Sequence, residues 1–182
     1  MSNERVRSLA AMIDHTLLKP EATADQVRAL CHEAVEHGLF AVCVNPAYVR
    51  LAVQVLQGSP VRVCTVAGFP LGASTTVVKA CEAERAIEDG AHEIDMVLAI
   101  GAAKGGEWRA VEDDVAAVAR VCHAGQALCK VIIETCYLSD AEKVEACRRA
   151  VAGGADFVKT STGFGPAGAT AADVALMRST VG

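Results

Sequence analysis

The chain has 182 residues, 52% of them hydrophobic and only 4% aromatic, and a formal net charge of −5. That length and apolar content suit one domain with a sizeable core. The scattered basic residues exclude nucleic-acid and anionic-membrane binding as first readings; no apolar run reaches membrane-spanning length, and Met1–Ala10 lacks a signal-peptide core.

Ala10–Leu18 begins with a short apolar stretch, runs through Asp14, His15 and Thr16, and is broken by Lys19 and Pro20. Thr23 with Gln26 forms a capping-box pattern. The helix it predicts carries Val27, Leu30, Cys31, Ala34 and Val35 on one face and stops at Gly38. Leu39–Val44 reads as a buried strand. Asn45 and Pro46 then predict an N-cap and a first helical residue, with Val49, Ala52, Val53 and Leu56 lining the helix.

The unit repeats. Val61–Ala67 is a predicted strand ending in Gly68-Phe69-Pro70-Leu71-Gly72, and Ser74 is placed to cap a helix through Val77, Val78, Cys81 and Ala86. Glu93–Leu98 is a strand, followed by a helix marked by Val111, Val115, Val118 and Cys122 and stopped by Gly125. Leu128–Ile133 is a strand, and Ser139 with Glu142 caps a helix carrying Val144, Cys147 and Val151. Ala155–Lys159 is the last strand, and Thr170 with Asp173 starts a last helix bearing Val174 and Met177. The eight cysteines stand singly in apolar patterns and form no CxxC pair. They read as buried reduced thiols in a cytosolic protein, neither disulfides nor zinc ligands.

Six strand–helix units at this spacing predict a parallel sheet with right-handed crossovers. An open doubly wound sheet and a barrel both fit. No GxGxxG or Walker lysine motif occurs, which takes weight from nucleotide-binding versions. Polar residues gather at the strand C-termini: Asp14 and Thr16, Asn45, Gly68–Gly72, Asp95, Glu134 and Thr135, and Lys159–Gly163. A barrel places its active site there. A closed eight-stranded barrel needs about 200 residues or more, so two further units are expected in a longer protein, or another chain covers the sheet edges.

The densest chemistry lies in Gly153–Gly165. Phe157 and Lys159 share one face of a buried strand, which carries an ammonium inward beside a loop of Thr, Ser and Gly. Desolvation lowers a lysine pKa until the amine can be neutral and attack a carbonyl. A lysine whose stem packs and whose head reaches water is the bland alternative. In a barrel, Asp95, Lys130 and Lys159 on strands four to six converge in the lumen. Lys130 would then lower the Lys159 pKa as a second cation, and Asp95 would move protons through water. A buried ion network that only specifies the core is the structural alternative.

These residues resemble the deoxyribose-phosphate aldolase family of class I aldolases. The likeness runs through Asp14-His-Thr-Leu-Leu-Lys-Pro20, Cys43-Val-Asn-Pro46, Cys64-Thr-Val-Ala-Gly-Phe-Pro-Leu-Gly72, Glu93-Ile-Asp-Met-Val97, Lys130-Val-Ile-Ile-Glu-Thr135 and Ala155-Asp-Phe-Val-Lys-Thr-Ser-Thr-Gly-Phe164. The resemblance implies a (β/α)8 TIM barrel, of which residues 1–182 hold about six of eight units as a single incomplete domain. It implies reversible cleavage of 2-deoxy-D-ribose 5-phosphate to D-glyceraldehyde 3-phosphate and acetaldehyde, with no metal and no cofactor. It makes Lys159 the Schiff-base lysine and Asp95 the proton relay. Thr16, Cys43, Thr162 and Gly163 would line the substrate site, Asp14 would orient its neighbours, and Lys130 would support the centre.

Two departures stand out. Ala99 replaces an asparagine common in the family. No residue matches the family's second relay lysine or its phosphate-gripping glycine turns, and Lys79 and Lys104, assigned to a helix and a loop, are not substitutes. The expected partners are a sugar phosphate and acetaldehyde, with a homo-oligomer as one way to cover the edges. Two alternatives remain open at this point: a non-catalytic homologue that binds a sugar phosphate or a partner chain, and a Schiff-base barrel aldolase with another substrate.

Overall fold

The structure is a computed structural model that describes residues 8–182, so the first seven residues of the Met1–Ala10 stretch lie outside the described residues. Six strands are present among them: β1 (Asp14–Leu17), β2 (Ala41–Val44), β3 (Arg62–Ala67), β4 (Glu93–Val97), β5 (Leu128–Ile132) and β6 (Phe157–Lys159). The helices are α1 (Ala24–His37), α2 (Val49–Val55), α3 (Thr76–Glu88), α4 (Ile100–Lys104), α5 (Trp108–Ala124), α6 (Asp140–Ala152) and α7 (Ala171–Val181).

Hydroxyl caps set three of the helix starts. Thr23 and Gln26 close the capping box of α1, and Gly38 ends that helix at φ 63°. Ser139 and Glu142 close the box of α6, and the Thr170 hydroxyl accepts the Asp173 amide at the start of α7. Two predicted caps are not formed. The Asn45 side chain caps nothing; a 3-10 turn over Pro46–Tyr48 intervenes before α2, and Asn45 Nδ2 donates to the Lys19 carbonyl at 3.4 Å. The helix assigned to Ser74 starts at Thr76, whose own hydroxyl is drawn to Asp114 Oδ1 at 2.8 Å.

All strands are parallel and neighbour one another in sequence order, β1 through β6. A doubly wound sheet reverses order at a switch point; this one does not. In a flat sheet β1 and β5 would lie about 19 Å apart. Yet Lys130 Nζ on β5 donates to Asp14 Oδ2 on β1 at 2.6 Å. The sheet is therefore curled on itself like a barrel wall, with its inner face toward these two groups.

Alternation along each strand divides the core. Outward residues such as Val42, Val44, Ile94 and Met96 pack with Val27, Leu30, Val111, Val115 and Val118 of the helices. Inward residues Cys43, Cys64 and Val66 form a smaller cluster with Leu18 and Phe69.

Several side-chain expectations are corrected. Val77 and Val78 are 78% and 46% exposed, and Cys81 is exposed as well. The buried face of α3 carries the expected Ala86 together with Lys79 and Ala83. Lys79 is wholly buried because Asp114 Oδ2 at 2.6 Å and the Val97 carbonyl at 3.0 Å accept from its ammonium. Val35, Val151 and Val174 also face outward. Cys136 is half-buried; the other six cysteines are buried, and all eight are free thiols. Lys104 lies in α4, not a loop, and pairs with Glu142 at 2.9 Å. Among the described residues no helix is long and apolar enough to cross a membrane.

Candidate active site

Register, not proximity in sequence, assembles the charged centre. Asp95 of β4 stands beside Lys130 of β5, and Ile132 of β5 stands beside Lys159 of β6. The curl turns all three charged side chains inward. Lys159 Nζ donates to Asp95 Oδ2 at 2.5 Å. Lys130 Nζ reaches Asp14 at 2.6 Å, Glu93 Oε2 at 2.8 Å and Asp95 Oδ1 at 3.2 Å. The Cys64 thiol donates to Asp95 Oδ1, also at 3.2 Å. Asp95 is fully buried, whereas the Lys159 side chain keeps 35% exposure at the mouth of the lumen.

The electrostatics revise one expectation. Burial works against a charge on Lys159, but the Asp95 carboxylate outweighs it, and the pKa lies above the ordinary lysine value. The expected depression by Lys130 does not prevail: the net direction is upward. Burial likewise opposes the Lys130 ammonium, and Cys64, Asp95, Asp14 and Glu93 together hold it well above the usual range. The resting centre is thus two ammoniums threaded among three carboxylates. Beside it, the Cys64 thiol is pushed well above the ordinary cysteine range, first by its hydrogen bond with Cys43 and then by burial.

Above the pair opens a cavity of about 340 Å³. Its wall includes Lys159, Asp95, Thr16, Phe69, Thr162 and Gly163. Thr16 and the 162–163 loop therefore meet Lys159 at one opening. Cys43 lies deeper, fully buried beside Cys64 in the apolar inner cluster. Asp14 is held beneath, on Lys130.

Sequence reading left Glu93 and Glu134 out of the site. Glu93 is buried on Lys130 and faces the same way as Asp95 two residues on, a spacing visible in the sequence. Glu134 is buried just past β5, and its carboxylate accepts from Thr162. Its sequence signals are its place at a strand end and the alternation that sets it on the same face as Lys130 and Ile132.

Two clusters bring potential metal-ligand atoms within 4.8 Å of one another: Cys43, Cys64 and Asp95, and Asp14, Cys64 and Glu93. Their carboxylates already face lysine ammoniums, which supply the positive charge an ion would bring. Chemically, an amine 2.5 Å from a buried carboxylate at a cavity mouth can pass its proton to that acid and become a nucleophile.

The family model described as DeoC/LacD family aldolase matches residues 8–182. The chain is 58% identical to the deoxyribose-phosphate aldolase of Lysinibacillus sphaericus over 176 residues, covering 97% of this chain and 78% of that protein. It is 52% identical to that of Caldanaerobacter subterraneus subsp. tengcongensis over 180 residues, covering 98% of this chain and again 78% of the relative. Among solved structures, the tetrameric deoxyribose phosphate aldolase from Aeropyrum pernix superposes with a TM-score of 0.90 at 32% identity, over 96% of this chain and 73% of that one.

Proposed function

This chain belongs to the DeoC/LacD family of aldolases, and from that premise we propose that it is a class I aldolase cleaving 2-deoxy-D-ribose 5-phosphate reversibly to D-glyceraldehyde 3-phosphate and acetaldehyde. The observation that carries the reading is the Lys159 ammonium set 2.5 Å from the fully buried Asp95 carboxylate at the mouth of the curled sheet. No other lysine among the described residues combines a strand-end position, a cavity and a buried acid in this way.

The steps follow from that pair. Lys159 gives a proton to Asp95, and the freed amine adds to the C1 aldehyde of the open-chain sugar. Asp95 returns the proton as the carbinolamine loses water, leaving a protonated imine. The C2–C3 bond then breaks: its electrons flow toward the imine nitrogen to form an enamine, and the C3 hydroxyl surrenders its proton through water to Asp95. D-Glyceraldehyde 3-phosphate leaves with C3 as its aldehyde. Protonation of the enamine at C2 and hydrolysis release acetaldehyde and restore the amine.

The remaining residues divide by position. Thr16, Thr162 and Gly163 contact the substrate from the cavity wall, and Cys43 shapes the apolar floor. Lys130 and Asp14 fix the orientation of Asp95 and take no proton in the cycle. The many free buried thiols support a cytoplasmic setting, and the tetrameric relative from Aeropyrum pernix supports assembly into a homo-oligomer.

Exchange of the methyl hydrogens of acetaldehyde in D2O isolates enamine formation from sugar binding. The wild-type chain should catalyse it, and EDTA should leave the rate unchanged. Lys159→Ala should abolish it with the fold intact, and Asp95→Asn should slow it by about tenfold or more. Exchange that survives Lys159→Ala removes the lysine from the chemistry.

A further inference from the structure

Beyond the groups assigned above, we infer that Glu134 is a positioning residue that clamps the substrate loop through Thr162 and so sets how tightly the sugar is held. The inference rests on the aldolase reading of the same site. Glu134 is 1% exposed and adopts a left-handed backbone, φ 53° and ψ 68°, which a non-glycine residue takes only where its surroundings enforce it. That turn at the end of β5 swings its carboxylate under the loop following β6.

The contacts form a chain. The amide of Thr162 donates to Glu134 Oε2 at 3.1 Å, and the Thr162 hydroxyl donates to the same oxygen. The Phe164 amide donates in turn to Thr162 Oγ1 at 3.0 Å. Phe164 stands edge-on to Phe69, with ring centroids 5.3 Å apart. Beside this, the Thr135 amide donates to the Thr160 carbonyl at 2.9 Å. Gly165 lies so close that an added Cβ would come within 2.9 Å of Cys136 Sγ and 3.4 Å of Glu134 Cδ.

One buried acid thus fixes the loop that carries Thr162 and Gly163, and through Phe164 it also fixes the Phe69 wall opposite. Glu134 lines no part of the cavity itself. It acts on substrate only through Thr162. A small aldehyde needs little beyond Lys159, whereas a five-carbon sugar phosphate must meet the clamped wall. Loss of the clamp therefore weakens sugar binding and spares amine chemistry.

The test compares borohydride-trapped adduct on Lys159 as a function of acetaldehyde and of 2-deoxyribose 5-phosphate concentration. Glu134→Ala should raise the half-saturating sugar concentration about tenfold, the size expected for losing hydrogen bonds to a charged acceptor, and leave acetaldehyde capture within about twofold. Glu134→Gln, which keeps one acceptor, should lose less. Adding Glu134→Ala to Thr162→Val should cost little more than Thr162→Val alone. Amide hydrogen exchange at Thr162 and Phe164 should speed up in Glu134→Ala, and unchanged protection there overturns the clamp whatever the adduct yields. Additive effects, or equal losses for sugar and acetaldehyde, also overturn it. Should Glu134→Ala fail to fold, Glu134→Gln carries the same comparison. A wild-type chain that traps neither compound overturns the aldolase reading and this inference together. Wild-type capture that both variants leave unchanged overturns this inference alone.

Discussion

Lys159 rests as a charged partner of Asp95, and its reactivity depends on when that proton leaves. Burial alone would lower its pKa; the carboxylate 2.5 Å away reverses the sign. Capture of acetaldehyde by the wild-type chain should therefore climb with pH past neutrality, with no plateau below the ordinary lysine value. Asp95→Asn removes the raising partner while burial remains. The pH profile of its borohydride trapping should shift to lower pH, even as hydrogen exchange on acetaldehyde slows. An unshifted profile would show that Asp95 does not hold the ammonium. Alternation along β4 and β6 made the inward placement of Asp95 and Lys159 legible in the sequence. The sign of the pKa shift was not, because it depends on how closely the Asp95 carboxylate approaches the ammonium. A second residue-scale test concerns Gly72, at φ 66°, where a Cβ would lie 1.9 Å from the Leu98 carbonyl oxygen. Gly72→Ala should cost more than about 2 kcal/mol by urea denaturation, since both the left-handed backbone and the clash oppose it.

Helices follow rules read locally, and they depart from them where a buried partner overrides the pattern. The capping boxes of α1 and α6 were evident from Thr23, Gln26, Ser139 and Glu142 alone. Glu142 is held at about 2, first by the Ser139 amide and then by Lys104. A lowered carboxyl stabilises above its ordinary value and loses that effect as pH falls, so the α6 cap should persist in mild acid and fade between about 4.5 and 2. Amide exchange at Glu142 across that range checks it. The apolar stripe of α3 misled in part: Ala86 is buried as expected, but the ion pair of Lys79 with Asp114 and the small Ala83 occupy the face that Val77 and Val78 suggested. No pattern within α3 signals a partner 35 residues away. Lys79→Met leaves Asp114 buried and uncompensated and should cost about 3–5 kcal/mol; the Lys79→Met/Asp114→Leu pair should recover much of that in the same urea titration.

At the scale of the molecule, six strands in sequence order and polar residues at their C-termini made the barrel wall legible. The closeness of β1 to β5 was not, since only the curl brings Asp14 to Lys130. That bridge, with the Lys159 pair, ties distant strands by charge. Both ammoniums are held above the ordinary lysine value, so the stabilisation they bring is present below that value and is lost as pH rises through the raised ones. Thermal unfolding should therefore vary little from pH 7 to about 10 on account of these pairs and fall in stronger alkali. The central claim is that the Lys159 amine captures the aldehyde, and the most direct measurement is peptide mass mapping after borohydride reduction with acetaldehyde. The account predicts one reduced two-carbon adduct, on the peptide bearing Lys159 and absent from Lys159→Ala. An adduct confined to Lys130 or to surface lysines would contradict it.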